Sequence, residues 1–229
     1  MIPVPFQDEI VQVSRALNEI NLQHVFVGGA VAPLLITDQG ASRIRPTDDI
    51  DAVVRVASRH SYHTTEEQLR SQGFQHDMEG PMCRWRLDGC AVDIMPMDEA
   101  VLGFSNQWYP EALKSSIDYA ITDSESVSLP TAPIFIATKI EAFKQRGNED
   151  YYASHDLEDI IAIIDGRPEL VNEVRQAASD VQSFLCDTFR SWLGNSDFTY
   201  ALPGHLPYPD VSNERAQIVA KRIRQMCEA

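Results

Sequence analysis

His24-Val25-Phe26-Val27-Gly28-Gly29 and, after an interval, Thr47-Asp48-Asp49-Ile50-Asp51-Ala52-Val53-Val54 are the segments whose reading decides the fold. A short apolar run rich in β-branched residues that stops at two glycines predicts a strand followed by a sharp turn, and glycine there lets the backbone come close to a ligand. In the second segment the side chains alternate between faces, so Asp49 and Asp51 share one face of a strand while Ile50, Ala52 and Val54 share the other. Neighbouring carboxylates repel each other unless a cation lies between them. Hard oxygen ligands of this kind suit Mg²⁺, which also takes phosphate oxygens from a substrate. An Asp-x-Asp or a glycine pair alone also marks an ordinary solvated strand end; their order and combination point to a metal and nucleotide site.

A third strand carboxylate, Asp93, stands in Ala91-Val92-Asp93-Ile94-Met95, and Asp88-Gly89 just before it predicts a two-residue hairpin turn. That turn opposes Leu87 to Cys90, Trp85 to Val92 and Arg84 to Asp93. Cys83, Trp85, Leu87, Cys90, Val92 and Ile94 then form an apolar face, leaving Arg84, Arg86 and Asp93 on the other. Arg84 is expected within pairing distance of Asp93, where it holds the carboxylate, contacts a nucleotide phosphate or forms a plain surface ion pair.

Gly28-Gly29, Asp49-x-Asp51 and Asp93, in this order, resemble the nucleotidyltransferases of the DNA polymerase beta superfamily, and most closely its AbiEii/AbiGii toxin-like branch. In that branch a basic and a small hydroxyl residue precede the paired aspartates, as Arg45 and Thr47 do here. The interval from Gly29 to Asp49 is longer than in minimal members, which implies a longer helix and a longer loop bearing Arg43 and Arg45. The resemblance implies an α/β (α+β) fold with a mixed twisted sheet flanked by helices and a C-terminal helical region. Residues 1–130 would be the catalytic core and 131–229 the helical region that completes the nucleotide site.

The resemblance also implies roles. Asp49, Asp51 and Asp93 would bind two Mg²⁺ ions, with Asp93 helping to activate the acceptor hydroxyl. Gly28, Gly29, Thr47, Arg84, Lys139, Arg146 and Asp159 would bind the nucleoside triphosphate, with Lys139 also in a catalytic role. A nucleoside monophosphate would pass to a hydroxyl acceptor and pyrophosphate would leave. In the toxin-like branch the acceptor can be the 3′ end of tRNA, whereas other relatives modify small antibiotics or proteins, and an antitoxin-type protein would be a fitting partner. The rival readings are a non-catalytic nucleotide-binding or regulatory protein, and a phosphohydrolase using the same metals.

Downstream, 133–147 predicts a helix with an apolar stripe of Ile136, Ile140 and Phe143 and with Lys139 at its edge. Ser154 or His155 begins another, on which Asp156 complements the N-terminus and Asp159, sitting deeper, is the candidate to hold Lys139 or Arg146. The pattern further predicts helices over 7–20, 61–72 and 213–226, and a helix over Ala30–Ile36 whose N-terminus faces phosphate. It also predicts a hairpin within 116–129, one long helix over 170–193, and loops at Asp98-Glu99 and 194–209.

The 229 residues carry 19 basic against 34 acidic side chains, a net charge of −15, which opposes broad nucleic-acid binding. Positive charge is instead gathered near the carboxylates, in Arg43, Arg45, Arg55, Arg59, Arg84 and Arg86. Cys83, Cys90, Cys186 and Cys227 lack CxxC spacing and read as reduced thiols, and His60 and His63 as surface or capping residues, so no zinc site is implied. No apolar run has membrane-spanning length and the first residues lack the basic start of a signal peptide, so no membrane association and a cytoplasmic location are expected.

Overall fold

Ile50, Ala52 and Val54 are fully shielded from solvent while Asp49 and Asp51 are half-buried, so the segment forms a strand whose two faces differ at its start and are both covered at Val53 and Val54. The computed structural model describes residues 6–38, 40–41, 45–56, 58–146, 149–206 and 212–228. Arg43 lies outside the described residues.

Five strands make one sheet: β1 (His24–Val27), β2 (Asp49–Val54), β3 (Gln75–His76), β4 (Arg84–Leu87) and β5 (Cys90–Pro96). Their order is β1-β2-β5-β4-β3, with the β2–β5 pair parallel and the β1–β2, β5–β4 and β4–β3 pairs antiparallel. The mixed sheet with flanking helices makes the fold α+β. The hairpin register is the expected one, with Leu87 opposite Cys90, Trp85 opposite Val92 and Arg84 opposite Asp93. Asp88 (φ 49°) and Gly89 (φ 89°) both take the left-handed conformation that a tight turn of this twist demands.

Phe26, Ile50, Ala52, Trp85, Val92 and Ile94 line the buried face of the sheet. Helix α1 (Gln7–Glu19) contributes Ile10, Val13 and Leu17 to the core. Helix α2 (Arg59–Ser71) starts two residues before its predicted position, because Ser58 and Ser61 cap it reciprocally. Its Arg70 guanidinium lies 5.4 Å from the centre of the Trp85 ring.

Asp98 and Glu99 do not lie on a loop: Asp98 accepts from the Ala100 amide and starts the one-turn helix α3 (Glu99–Leu102). Helix α4 (Tyr109–Lys114) follows, then the expected hairpin of β6 (Ile117–Ala120) and β7 (Ser126–Leu129). Asp118 there accepts from the Ser128 hydroxyl, a structural role.

The chain divides into two compact units, a sheet unit of Pro3–Val31 with Pro46–Thr131 and a helical unit holding Ala32–Arg45 with Ala132–Ala229. The sequence puts 32–45 with the sheet; its hydrogen bonds put it with the helices. The amides of Thr37 and Asp38 donate to the Gly166 carbonyl at 3.0 and 2.9 Å, and Arg167 donates to the Leu35 carbonyl at 2.9 Å. The Thr37 hydroxyl donates to Glu169 at 2.7 Å. A side chain at Gly166 would meet Ile36 Cγ2 at 2.7 Å, so glycine is what admits the segment.

The predicted helix over Ala30–Ile36 is only a 3-10 turn, Ala32–Leu35. The Ile36 amide donates to the Pro33 carbonyl at 3.3 Å, and the chain then leaves the turn with the Thr37 and Asp38 amides on the Gly166 carbonyl, so the α-helix expected to face a phosphate does not form here.

The helical unit continues with α5 (Ala132–Arg146), α6 (His155–Gly166), α7 (Leu170–Gln176), α8 (Ser179–Leu193), α9 (Ser196–Ala201) and α10 (Ser212–Met226). The single helix expected over 170–193 is two: Ala177 and Ala178 are extended, and both pieces pack on α5 and α10, α7 more on α10 and α8 more on α5. The loop expected over 194–209 contains α9, capped by Asn195 accepting from the Asp197 amide at 2.8 Å, and a 3-10 turn over Leu202–His205. Phe198 anchors it, stacked on Trp192 at 5.3 Å. Two basic residues of α10 dock on the end of α6: Arg215 pairs with Asp165 at 2.7 Å, and Arg222 donates to the Ile164 and Asp165 carbonyls. Among the described residues no helix is long and apolar enough to cross a membrane.

Candidate active site

Strand pairing sets Val27, Asp51, Asp93 and Arg84 in one row across β1, β2, β5 and β4, since paired residues point to the same side of a sheet. Asp49, two residues before Asp51, lies on that same face. Gly28 has φ +74°, and a Cβ built on it would stand 1.8 Å from Asp51 Oδ2. The first glycine therefore does two things that no other residue does here: it turns the chain after β1 and leaves room for the Asp51 carboxylate. Gly29 is buried beside it.

Arg84 ties the row together. Its Nε and Nη2 donate to Asp93 Oδ1 and Oδ2 at 2.8 and 2.9 Å, a two-pronged bond, and Nη2 also reaches Asp49 Oδ2 at 2.5 Å. The other oxygen of Asp49, Oδ1, accepts from the Thr47 hydroxyl at 3.1 Å. The hydrogen bond to Asp93, more than the nearby charges of Asp93 and Asp49, pushes the Arg84 pKa up against the effect of its burial, so Arg84 is a permanent cation. The row is only partly covered: side-chain exposure is 26% for Arg84, 27% for Asp49 and 11% for Asp93.

The segment 77–83 packs on the Arg84 stem, for a Cβ at Gly80 would meet Arg84 Cδ at 2.7 Å. Asp77 and Pro81 bond the Arg84 backbone at 3.0 and 2.8 Å, and Arg86 reaches back to Asp77 at 2.9 Å. On the core face, burial and then the charge of Asp93 push the Cys83 thiol up to about 12, so it stays protonated.

By donor chemistry, three carboxylates fit a hard divalent cation. By arrangement they do not: two of them, Asp49 and Asp93, hold the Arg84 guanidinium, and among the described residues no group of three or more His, Cys, Asp or Glu side chains converges as metal ligands.

The other predicted residues form a second cluster, inside the helical unit. Lys139 Nζ donates to Asp159 Oδ2 at 2.6 Å and to Asp156 Oδ1 at 3.2 Å. Arg146 binds Asp156, at 3.1 and 3.2 Å, rather than Asp159. Side-chain exposure is 7% for Lys139, 8% for Asp156 and 0% for Asp159, against 73% for Arg146. Burial pushes the Asp156 carboxyl up, but the charge of Lys139 and the bonds and charge of Arg146 together outweigh it, and the pKa lies below the ordinary value. Ser154 caps α6, accepting from the Leu157 amide at 3.3 Å. Lys139 on α5 thus bonds Asp156 and Asp159 on α6.

Arg84 reaching Asp49 was not foreseeable from the hairpin alone, because it depends on β2 lying parallel beside β5. Gly80 carried no signal in the sequence beyond being a glycine near a turn.

No family model and no curated protein sequence matches the chain. Among solved structures, an antigenic nucleotidyltransferase-like protein from Paracoccidioides brasiliensis aligns at a TM-score of 0.48 and 18% identity, over 93% of this chain and 92% of its own. The antibiotic-resistance factor ANT(2'')-Ia aligns at a TM-score of 0.49 and 14% identity, over 84% of this chain and 95% of its own.

Proposed function

We propose that the chain transfers a nucleoside monophosphate from a nucleoside triphosphate to a hydroxyl acceptor, at the sheet face bearing Asp49, Asp51 and Asp93. The observation that carries this reading is the alignment of Asp51 with Asp93 across the parallel pair, beside a glycine whose missing side chain makes room for Asp51. An acceptor hydroxyl bonded to the Asp93 carboxylate loses its proton to it as the oxygen bonds to the α-phosphorus, and the bond to the β-phosphate oxygen breaks to release pyrophosphate. Arg84 supplies a positive charge to the triphosphate, and Thr47 orients Asp49. Lys139 and Asp159 belong in this reading to the packing of α5 on α6.

The acceptor includes the 3′ end of tRNA among its candidates, and the charge of −15 restricts RNA contact to a local basic patch rather than a broad surface. The firm hold of Arg84 on two of the carboxylates favours a second reading, a nucleotide-binding protein without turnover, which an antitoxin-type partner or another protein would read out.

The test incubates the protein with each α-labelled nucleoside triphosphate, Mg²⁺ and total RNA, beside Asp51→Asn. Label entering a tRNA-sized band, and falling by at least about 100-fold in the variant, supports transfer to RNA. Label on protein or on an added small antibiotic names a different acceptor. Nucleotide binding with no label in any fraction favours the second reading.

A further inference from the structure

We propose that Cys186 and Cys227 form a reversible disulfide that staples the C-terminal end of α10 to α8, with a low-molecular-weight disulfide as the oxidant.

Three features support the bridge. First, the end of α10 is clamped through three consecutive carbonyls. Arg175 of α7 donates Nε and Nη2 to the Gln225 carbonyl at 3.0 and 2.6 Å, and Arg190 of α8 donates Nη2 to the Cys227 carbonyl at 2.9 Å. Between them the Cys186 thiol donates to the Met226 carbonyl at 3.6 Å. Arg190 follows Cys186 by one helical turn, so a single face of α8 carries both the thiol and the clamp. Met226 itself is fully buried, which fixes how the chain end approaches α8.

Second, the two thiols meet. Burial, and then the hydrogen bond with the Cys186 thiol, push the Cys227 thiol up to about 12. A thiol held protonated lacks the stabilised thiolate that makes a protein disulfide easy to reduce, and its exchange is slow at neutral pH and faster in alkali. Third, a reagent can reach the pair: Cys186 is buried but Cys227 is half-buried, and both line a cleft of about 250 Å³ with Gln182, Ser183, Asp187 and Arg190. The sheet cysteines offer no such pair. The Cys83 carbonyl accepts from the Ile94 amide, four positions along β5 from Cys90, so roughly 13 Å of strand separates them, beyond the reach of a disulfide.

The Cys227 thiolate attacks one sulfur of the small disulfide, whose S–S bond breaks, and the departing thiolate takes up the proton that Cys227 gave away. Cys186 then loses its proton and attacks the Cys227 sulfur, releasing the second small thiol. Two protein thiols are thereby oxidised and one small disulfide is reduced to two thiols. The bridge closes the loop from Cys186 to Cys227 and braces α10, whose Arg215 and Arg222 hold the end of α6.

The experiment incubates the folded full chain with oxidised glutathione at about pH 8, where the thiolate fraction is higher, then blocks free thiols and digests it with trypsin without reductant. Two of the four thiols should be lost, and a peptide joining residues 176–190 to 225–229 should appear and vanish with dithiothreitol. The oxidised protein should unfold roughly 5–10 °C higher than the reduced one, and Cys227→Ser should show no such rise. If Cys227→Ser does not fold, return of the oxidised natural protein to the lower midpoint on adding dithiothreitol supplies the same comparison. Four free thiols, glutathione retained on Cys227, or a bridge to Cys83 or Cys90 would overturn the proposal. A Cys186–Cys227 bridge without a rise in midpoint would overturn the stapling of α10.

Discussion

Two clusters in this protein pair aspartates with basic side chains, and they differ in how much water reaches them. On the sheet, Asp49 and Asp93 share Arg84 at roughly a quarter exposure or less, next to Asp51. In the helical unit, Asp156 and Asp159 share Lys139 at 8% exposure or less. A buried ion pair has left water for good, and breaking it strands a charge; a half-open one keeps its access to water, and breaking it costs less. The same residue types therefore bridge two helices in one place and leave a water-accessible ion pair on the sheet in the other.

The comparison breaks most visibly at Lys139. Lys139→Met leaves Asp159 buried without its cation, and an expected loss of about 3–5 kcal/mol should appear in urea unfolding. Adding Asp159→Leu to Lys139→Met should recover part of it, since a packed apolar pair does not carry the desolvation cost. No recovery would mean that the cluster does more than pack. Gly28→Ala should come next: it forces a left-handed φ and drives a methyl group into Asp51, so it should cost more than Gly89→Ala, which has the strain of about 1–2 kcal/mol but open space around its Cβ. Equal losses would mean that the Asp51 carboxylate moves aside freely.

Acid separates the two regions by pH. In the sheet unit, burial lowers the His24 pKa in spite of a 2.9 Å bond with the Leu22 carbonyl, so the stability it contributes is present above the ordinary histidine value and is lost as pH falls below 6.5 toward the folded pKa. In the helical unit, the lowered pKa of Asp156 gives stability that is kept above the ordinary aspartate value and lost as pH falls below 3.8. Hydrogen exchange along a pH series should weaken the β1 amides first; His24→Gln should remove the upper step and leave the lower. Smallest of all is Arg86→Ala. Its partner pair with Asp77 has an arginine side chain 52% exposed, so the change should stay under about 1 kcal/mol in thermal unfolding, which sets Arg86 apart from Arg84 on the same strand.

Local rules made the sheet legible. Asp88-Gly89 fixes its own turn, the turn fixes the register, and the register sets Arg84 opposite Asp93. Asp49 and Asp51 likewise follow from strand alternation. What was not legible depends on distant partners. Segment 32–45 joins the helical unit through the Gly166 carbonyl, more than a hundred residues away. The break at Ala177 and Ala178 lets α7 and α8 both pack on α5 and α10, with neither glycine nor proline to announce it. Lys139 reads as the edge of an amphipathic helix because Ile136, Ile140 and Phe143 make a stripe; in the fold every residue from Ala132 to Ile140 is buried, so no edge exists there and the lysine needs internal carboxylates. A single sequence gives the period of an apolar stripe but not how many neighbours surround the helix.

The most direct measurement sets the two clusters against each other. Label transfer from α-labelled nucleoside triphosphates is followed in Asp51→Asn and Lys139→Met, each assayed at the same interval below its own midpoint of thermal unfolding. Asp51→Asn should unfold near the natural temperature and transfer no label, whereas Lys139→Met should unfold at a lower temperature and, while folded, transfer label at a rate within about threefold of the natural protein. Full activity in Asp51→Asn, or a folded Lys139→Met without activity, would contradict the assignment of chemistry to the sheet and of packing to the helices.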